Sequence, residues 1–360
     1  MQKIVVGGGP IGTYLSSKSP ETTIFEQKRQ IGRPVQCTGL LSNQAKQLVD
    51  TKLLKTITLN TITSAEIIGP HTKTIFSLKP NYIINNSLFE KRLADKALTI
   101  GNEILLNRRY EGSRGLKHQF KDLKTKKKQV IESKELIGVD GPASKVRQAH
   151  NFAKQNHYVG LQARIKVKAH ENSIKFYPHL GVYAWYVPET EHTARAGIAL
   201  KKANQTTANT FFKRFPGKIL ERQGGIIPLH KPCTRTWKQT RTHKVILLGD
   251  AAGHIKNTTG GGLVPGMIAT NHYISKKDTY KGSPRSLKKE LYSHFLVHNL
   301  LSRANQKEWD KIILESQKHT KLLEQVNRDQ TRKMLIKLGS NKTFLTYGLS
   351  KILTGKVRLF

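Results

Sequence analysis

A chain of 360 residues is long enough for two domains, or for one large domain with an elaborated second layer. The 62 Lys and Arg against 24 Asp and Glu give a net charge of +38. Such a charge attracts nucleic acid, an anionic membrane or a phosphorylated substrate, but a lysine-rich surface with no specific partner would have the same charge. Two cysteines, Cys37 and Cys233, argue against a disulfide-rich secreted protein and favour a reducing cytosol.

The first strand is expected almost at once, so no signal peptide is expected before it. No uninterrupted apolar stretch of about 18 residues occurs, which argues against a membrane-spanning helix. Any membrane contact should therefore be peripheral, and we expect a cytoplasmic protein that associates with a membrane surface.

The opening of the chain has the pattern of a dinucleotide site. Ile4–Val6 reads as a buried parallel strand, and Thr13–Ser17 can open a helix. The turn between them has the GxGxxG spacing, which lets the backbone approach a pyrophosphate at a helix N-terminus, through Gly7, Gly9 and Gly12. A second apolar run, 22–25, ends in Glu26, about 20 residues after Gly7, where a carboxylate would bind an adenosine ribose. The order of these elements favours a nucleotide over a turn with no ligand.

The next stretch alternates short strands with one helix. Three β-like runs follow a Gly- and Pro-rich loop, at 62–68, 74–78 and 82–84. Ser87 is expected to open a helix to about Leu98, with Glu90 placed as in a capping box. Glu103–Leu106 fits a third parallel strand. The charged run 121–128 is most simply a solvated hairpin tip, with a lipid- or nucleic-acid-binding role as the alternative.

The second half changes character twice. Residues 158–232 alternate apolar and polar positions, which indicates a largely antiparallel sheet. Val245–Leu248 reads as a buried strand, and helices are expected from about residue 287 to the end.

Two later segments extend the nucleotide signal. Residues 138–147 end a strand and open a helix, with Asp140 in a Gly-Val-Asp-Gly-Pro sequence, and Val245–Leu248 leads into Gly249-Asp250-Ala-Ala-Gly. With the first glycines, these segments resemble the three fingerprints of FAD-dependent oxidoreductases of the aromatic-hydroxylase type. The resemblance implies that Asp250 binds the ribityl chain of FAD and that Asp140 also serves the cofactor. Alone, Asp250 could also be a helix N-cap.

Four stretches resemble the geranylgeranyl reductase family more specifically. They are the GRPVQCTG of 32–39, the YAWYVP of 183–188, the GGIIPL of 224–229, and the GDAAGH of 249–254 with the TGGG of 259–262. The second is similar to the family's YxWxFP motif, with Val187 in place of Phe. Asn85 and Asn86 stand where related proteins often carry an Asp-Arg pair, which leaves the contacts there open.

The resemblance covers most of residues 1–275 and implies a fold and a division of the chain. We expect an α/β chain (α+β overall) with a Rossmann-like FAD-binding domain of the aromatic-hydroxylase type, formed by 1–55, 86–157 and 240–285. Residues 56–85 and 158–239 should form an antiparallel-sheet substrate domain, and 286–360 a C-terminal helical region.

Candidate catalytic residues follow from this resemblance and from strand alternation. Tyr183 and Trp185 should share one face of a strand, with Tyr186 opposite. That face could line an apolar slot for a polyprenyl chain, or be a core aromatic ladder. Cys37 could shape the site, donate a proton, or pack as a small hydrophobe. A disulfide with Cys233 is possible but has no support from spacing.

Further cofactor contacts are expected around the same site. Gly249 precedes Asp250, and glycine amides that approach the isoalloxazine ring are expected from Gly260, Gly261 and Gly262. Arg33 is a candidate phosphate partner of FAD, or else a surface arginine, and Arg147 is similar. His254 could lie near the ring or be a passive hydrogen-bonding group.

The implied reaction is reduction of isoprenoid double bonds in a polyprenyl lipid of archaeal type. The electron donor could be NADPH, a ferredoxin or a reduced quinone. The basic surface and the segments 331–338 and 344–353 could contact an anionic membrane. A flavin monooxygenase or halogenase is an alternative, because the segment 183–188 partly resembles the WxWxIP motif of halogenases. A third is a non-catalytic FAD-containing protein that binds RNA or membrane, since charge alone does not exclude nucleic acid.

Overall fold

The computed structural model describes residues 3–168, 172–276, 278–325 and 329–338. The first sheet has six strands in the order β16-β17-β10-β1-β2-β6, parallel except for the antiparallel β16 at its edge. Their bounds are β1 Lys3–Val6, β2 Thr22–Glu26, β6 Glu103–Leu106, β10 Glu135–Gly138, β16 Trp237–Gln239 and β17 Lys244–Leu247. Apolar side chains dominate β1 and β17, as expected for strands covered on both faces.

The second sheet has eight strands in the order β15-β11-β14-β13-β12-β4-β5-β3. All its pairs are antiparallel except β12 with β4. The bounds are β3 Leu40–Leu41, β4 Thr58–Ile68, β5 Lys73–Ile84, β11 His157–Lys166, β12 Ser173–Tyr177, β13 Tyr183–Thr190, β14 Thr193–Leu200 and β15 Lys218–Pro228. A third, three-stranded sheet consists of β7 Arg108–Arg114, β8 Lys117–Asp122 and β9 Lys128–Glu132.

Helices cover the sheets and fill the C-terminal part. Those before residue 250 are α1 Pro10–Ser16, α2 Ala45–Leu48, α3 Thr51–Ile57, α4 Asn86–Thr99, α5 Lys145–Ala149 and α6 Gln205–Phe212. A 3₁₀ turn at Gly249–Ala252 leads to α7 Leu263–Ser275, α8 Arg285–Leu301, α9 Gln306–Gln317, α10 Thr320–Gln325 and α11 Thr331–Leu338. Within the described ranges, none of these helices combines the length and the apolarity that a bilayer span requires.

Two apolar clusters form the core beside the two large sheets. The largest joins the six-stranded sheet to α1, α4, α7 and α8, through residues such as Ile24, Phe89, Met267 and Leu291. A second lies between the eight-stranded sheet and α6, where Tyr186 stacks on Phe215 with ring centroids 4.5 Å apart. The glycine loop after β1 therefore lies against the largest apolar cluster, which includes Val5, Ile11 and Val139.

Most of the predicted elements are present. Glu103–Leu106 pairs in parallel with β2, and the charged run 121–128 joins β8 to β9 as a hairpin. The expected start of α4 was wrong: its N-cap is Asn85, whose side chain accepts the Leu88 N–H at 3.0 Å, while Ser87 lies inside the helix. The segment 344–353 lies outside the described residues.

Two short strands cross the division of the chain that the sequence suggested. β3 precedes residue 55 but joins the eight-stranded sheet, and β16 precedes residue 240 but joins the six-stranded one. The domain boundaries stay a prediction.

Candidate functional site

The glycine loop between β1 and α1 is tightly packed on one side and open on the other. A Cβ on Gly12 would lie 2.0 Å from the Gly7 carbonyl oxygen, and one on Gly7, at a φ of +111°, would lie 2.5 Å from the Val139 oxygen. A Cβ on Gly9, the N-cap of α1, would meet no atom within 4 Å. The loop is thus closed at Gly7 and Gly12 and open beside Gly9 at the start of α1, a shape that suits a phosphate.

Glu26 lies beside this loop, at the end of β2. Its two carboxylate oxygens accept the Gly8 N–H at 2.5 Å and the Lys28 N–H at 2.7 Å. A carboxylate has about four acceptor positions, so both bonds leave capacity for a ribose hydroxyl. The structure places Glu26 where the sequence predicted it, with the added contact to the loop.

Asp250 faces the same region from the turn that follows β17. Gly249, at a φ of +59°, packs closely enough on Ile11 that its Cβ would lie 3.0 Å from that side chain, which connects the turn to α1. Within the described part of the chain, no group donates a hydrogen bond to the Asp250 carboxylate. Burial raises its pKa to about 6. The N-cap of the turn is Leu248, so the helix-cap interpretation of Asp250 was wrong.

The second glycine run closes on this carboxylate. A Cβ on Gly262 would lie 2.7 Å from Asp250 Oδ1, and one on Gly260, at a φ of +68°, would lie 2.6 Å from the Tyr183 hydroxyl. Gly261 is close to the Lys256 side chain, at 2.9 Å by the same measure. Asp250 and Tyr183 therefore approach this loop from its two sides.

The strand register places the aromatic residues in rows across the second sheet. One row is Gln223, Gln162, Gly197 and Trp185, on β15, β11, β14 and β13. Two residues along the same strands, the next row is Gly225, Gly160, Ala199 and Tyr183. Because side chains two apart point to the same face, both rows form one surface, which we call the sheet face.

Tyr183 and Trp185 share the sheet face as predicted, with ring centroids 6.0 Å apart, whereas Tyr186 lies on the other side. The Tyr183 hydroxyl is buried and has no hydrogen-bond partner among the described residues. Burial raises the pKa of that hydroxyl, so it is protonated at neutral pH. Trp185 is half-buried and donates from Nε1 to Gln162 Oε1 at 3.1 Å.

Cys37 belongs to a segment, 36–39, that crosses the sheet face. A Cβ on Gly225 would lie 3.8 Å from the Gln36 Cβ, and Thr38 donates to Gln162 at 2.6 Å. Cys37 as a residue is exposed, yet burial of its thiol by the protein around it raises the pKa of that thiol. Both Cys37 and Cys233 are free thiols, so no disulfide joins them.

Sequence reasoning missed two polar networks on the sheet face. Gln162 accepts from Thr38 and Trp185 and donates to Gln223 at 2.6 Å, which leaves the buried Gln223 Nε2 without a partner. In the row on the other side of Trp185 from Tyr183, Arg195 binds Glu189 and the Cys37 carbonyl. Alternation along a strand predicts that such residues share one face of the sheet. Only the order and register of the strands show which side chains on that face are in contact.

Glu90 was also missed, because its spacing was attributed to a capping box. Its carboxyl lies near Glu26 and Lys28, and burial is the main cause that raises its pKa to about 7. Asn86, one turn earlier on α4, donates to the Cys37 carbonyl at 3.0 Å. This is the contact that the sequence had left open for Asn86.

Other predicted residues have contacts of a structural kind. The Asp140 carboxylate accepts from Ser144, Lys145 N at 2.7 Å and Val146 N at 3.1 Å at the start of α5, so its role at a cofactor stays a prediction. Arg147 is buried and donates to the Ala251 and Ala153 carbonyls, which is inconsistent with a free phosphate partner.

Two further candidates lie apart from these contacts. His254 is buried, its Nε2 lies 2.7 Å from the Ser283 hydroxyl, and burial lowers its pKa to about 3, so it is neutral and hydrogen-bonded. Arg33 is exposed, and its phosphate contact stays a prediction.

No known protein-family profile matches the chain. A digeranylgeranylglycerophospholipid reductase of Methanosphaera stadtmanae is 28% identical over 311 residues, which cover 74% of this chain and 75% of the relative. One of Methanococcoides burtonii is 25% identical over 308 residues, covering 74% and 71%.

Solved structures show the same fold. A geranylgeranyl bacteriochlorophyll reductase-like protein of Thermoplasma acidophilum superposes with a TM-score of 0.71 at 20% identity, over 94% of this chain and 98% of that one. A flavin-dependent brominase superposes with a TM-score of 0.60 at 14% identity, over 87% and 82%. The predicted aromatic-hydroxylase-type fold is confirmed. Together with the motifs, these comparisons show that the chain is similar in sequence to geranylgeranyl reductases and shares its fold with flavin-dependent enzymes.

Proposed function

We propose that this protein uses FAD to hydrogenate the double bonds of geranylgeranyl chains in archaeal-type membrane lipids or their precursors. The observation that carries the proposal is the Asp250 carboxylate, which lies beside the Gly262 loop and accepts no hydrogen bond from the described residues. The names of the sequence relatives supply the substrate class. A monooxygenase or halogenase activity has no such support, because the brominase shares only the fold.

The residues fit a bound FAD. The open side of the Gly9 turn suits its pyrophosphate, Glu26 retains acceptor capacity for the ribose, and Asp250 suits the ribityl hydroxyls. The close packing around Gly260–Gly262 suits a backbone without side chains that lies against the ring. Arg33 and Asp140 are proposed as further contacts of the phosphates and the cofactor. When bound and reduced, FAD supplies a hydride to one carbon of the double bond.

The chain's own residues orient the lipid and exclude water. Trp185 and Tyr183 present apolar rings on the sheet face, and the glycines and alanine beside Tyr183 leave room along it. An isolated alkene has no polar group to hold, so shape and burial must position it. We propose that this face forms the wall of the slot for the polyprenyl chain.

The second carbon of the double bond needs a proton, and two groups of the chain hold one at this place. The Cys37 Sγ is protonated at neutral pH because burial raises its pKa. The Tyr183 hydroxyl is protonated for the same reason and has no partner within the described residues. Either atom, or water replenishing it, can deliver the proton while Trp185 and Tyr183 keep bulk solvent away.

We propose that the protein acts at an anionic membrane surface. The charge of +38 favours anionic lipid, and α11 exposes Ile336 to solvent to 66%. The reductant stays open among NADPH, a ferredoxin and a reduced quinone.

The direct test mixes the purified, dithionite-reduced protein with an unsaturated diether phospholipid under anaerobic conditions and determines the product mass. We expect mass gains in steps of two hydrogen atoms, one hydride and one proton for each double bond. The Asp250→Asn variant, which should bind flavin weakly, provides the matched control. A lipid whose mass stays the same while the flavin is loaded and reduced would overturn the proposal.

A further inference from the structure

The Cys37 carbonyl oxygen is a meeting point of the two sheets. It accepts a hydrogen bond from Arg195 Nη1 at 2.6 Å and another from Asn86 Nδ2 at 3.0 Å. Arg195 lies on β14 of the eight-stranded sheet, and Asn86 begins α4, which packs on the six-stranded one. The segment 36–39 is thus fixed at Cys37 from both sides.

Arg195 is itself held rigidly. Its Nε and Nη2 donate to one oxygen of Glu189 at 3.1 and 2.7 Å, and both residues are buried, at 6% and 2% exposure. The other Glu189 oxygen accepts from Arg164 and from Thr193 at 3.2 Å. Because a guanidinium is planar and its donors are fixed in direction, two bonds to Glu189 determine where Nη1 points.

The network carries two guanidinium groups against one carboxylate, so a net positive charge lies beside the Cys37 segment. Arg195 opposes the effect of burial on the pKa of the Cys37 thiol, whereas the nearby Asp250 and Glu90 carboxylates reinforce it. The Arg195 and Arg164 guanidinium groups lower the pKa of the Glu189 carboxyl. Glu189 therefore stays ionised and keeps Arg195 in place.

We propose that Arg195 is a positioning residue of the site: through the Cys37 carbonyl, its guanidinium fixes where the Cys37 thiol stands above the sheet face. The inference rests on the proposed function only in taking that face as the wall of the substrate slot. Arg195 touches neither substrate nor cofactor in this role; it acts through Cys37, and Glu189 acts through Arg195.

The test measures the rate at which iodoacetamide alkylates Cys37 in the full chain, as a function of pH, in a Cys233→Ser background. The midpoint of that profile reports the pKa of the thiol, and the plateau at high pH reports its accessibility. Arg195→Met should raise the pKa by about 1, the lower end of what loss of an adjacent opposite charge produces, and should change the plateau because the segment is released. At about pH 8, alkylation should be about tenfold slower if access is unchanged.

Glu189→Gln should shift the midpoint the opposite way, because it removes the negative charge that neutralises Arg195. Arg195→Lys keeps the charge but not the planar pair of bonds, so its midpoint should stay near the parent's while its plateau changes. Arg164→Lys is the matched control, since its partially exposed side chain contacts only the far side of Glu189, and should match the parent.

Midpoints of Arg195→Met and Glu189→Gln that move in the same direction would overturn the proposal. So would an Arg195→Met profile identical to the parent's in both midpoint and plateau, in protein that melts cooperatively. The readout needs neither lipid nor flavin turnover, so it stays interpretable even if no variant reduces any isoprenoid.

Discussion

Asp250 Oδ1 lies 2.7 Å from the point that a Cβ would occupy on Gly262. A methyl group there would displace the carboxylate or the loop, since side-chain carbons do not approach an oxygen so closely. The two residues therefore have to be considered as one unit of the proposed flavin site.

Gly262→Ala should weaken flavin binding about tenfold, which corresponds to about 1.4 kcal/mol, because the carboxylate loses its position for the ribityl hydroxyls. Asp250→Ala should weaken it at least as much, since hydrogen bonds to a charged group contribute about 1.5–3 kcal/mol. Titration of the apoprotein with FAD, followed by flavin fluorescence, measures both.

Gly224→Ala is the matched control for Gly262→Ala. Its new Cβ would lie 3.5 Å from Leu161 Cδ2, an ordinary contact, so flavin affinity should not change. Equal loss of affinity in both alanine variants would contradict a specific role for the Asp250–Gly262 contact.

Flavin affinity should depend on pH through Asp250. Its pKa is about 6 in the free protein, and a ribityl hydroxyl donates to the ionised carboxylate. Binding therefore favours the deprotonated form, so affinity should be constant above about pH 7 and fall below about pH 6, approaching tenfold per pH unit. The measurement is the FAD dissociation constant across that range, in protein shown to remain folded.

Two variants identify the group whose titration causes the pH dependence of flavin affinity. Asp250→Asn should bind weakly and lose the pH dependence near 6. Glu90 has a pKa of about 7 and lies close enough to confuse the profile, but Glu90→Gln should retain the midpoint of the parent. A midpoint that survives in Asp250→Asn would assign the titration to another group.

Local motifs predicted where the residues proposed for the nucleotide lie, and their role at a nucleotide stays a prediction. Gly7, Gly9 and Gly12 work through backbone geometry within one turn, and Glu26 follows on the next strand, so spacing along the chain was sufficient to place them together. The same holds for Tyr183 and Trp185, because period-two alternation fixes their common face.

The polar residues of the sheet face could not be predicted in this way. Gln162 and Gln223 meet because β15 pairs with β11 in one register, and Arg195 reaches Cys37 across 158 positions of sequence. Such contacts depend on strand order and on burial, which decide whether a polar side chain is a solvated surface group or part of a network. The start of α4 was predicted wrongly for a simpler reason: Asn85 and Ser87 are both good caps, and the backbone selected the first.

Tyr183→Phe should separate stability from turnover. Its hydroxyl is buried without a partner among the described residues, and leaving such a group unpaired costs about 1–3 kcal/mol, so the variant apoprotein should unfold at the same or higher temperature. Turnover should fall about tenfold or more, because general acids contribute at least that much. Thermal unfolding and lipid reduction are measured on the same preparations.

Tyr273→Phe provides the comparison, since that hydroxyl is also buried but lies on α7 in the core, beside the Glu135 carboxyl. It should leave turnover unchanged. Full activity in Tyr183→Phe would exclude the hydroxyl as the proton donor and leave Cys37 or water.

Membrane association should depend on both charge and the exposed apolar side chain of α11. The purified protein should sediment with vesicles rich in anionic lipid and much less with neutral ones, and added salt should reduce the difference. Ile336→Asp should weaken binding, because it places a negative charge on the exposed face beside Arg332 and Lys333.

Val130→Asp is the control for that experiment, since Val130 is 57% exposed on the basic hairpin of β8 and β9. It adds the same negative charge to another part of the surface. Equal weakening by both substitutions would assign binding to net charge alone, and equal sedimentation with neutral vesicles would contradict an electrostatic preference.

Gly197→Ala tests the packing of the sheet face. A Cβ on Gly197 would lie 2.2 Å from Trp185 Cζ2, because the indole lies flat over the β14 backbone. Overpacking of this kind costs about 1–3 kcal/mol, so urea unfolding should show a loss of that size, and lipid turnover should fall as the indole is displaced. Trp185→Leu removes the ring, so in that background Gly197→Ala should cause little further loss of stability. The double variant should therefore be more stable than the two single changes predict when added, by about 1 kcal/mol or more. Simple additivity would mean that the indole does not rest on Gly197, and the wall proposed for the polyprenyl chain would need a different shape.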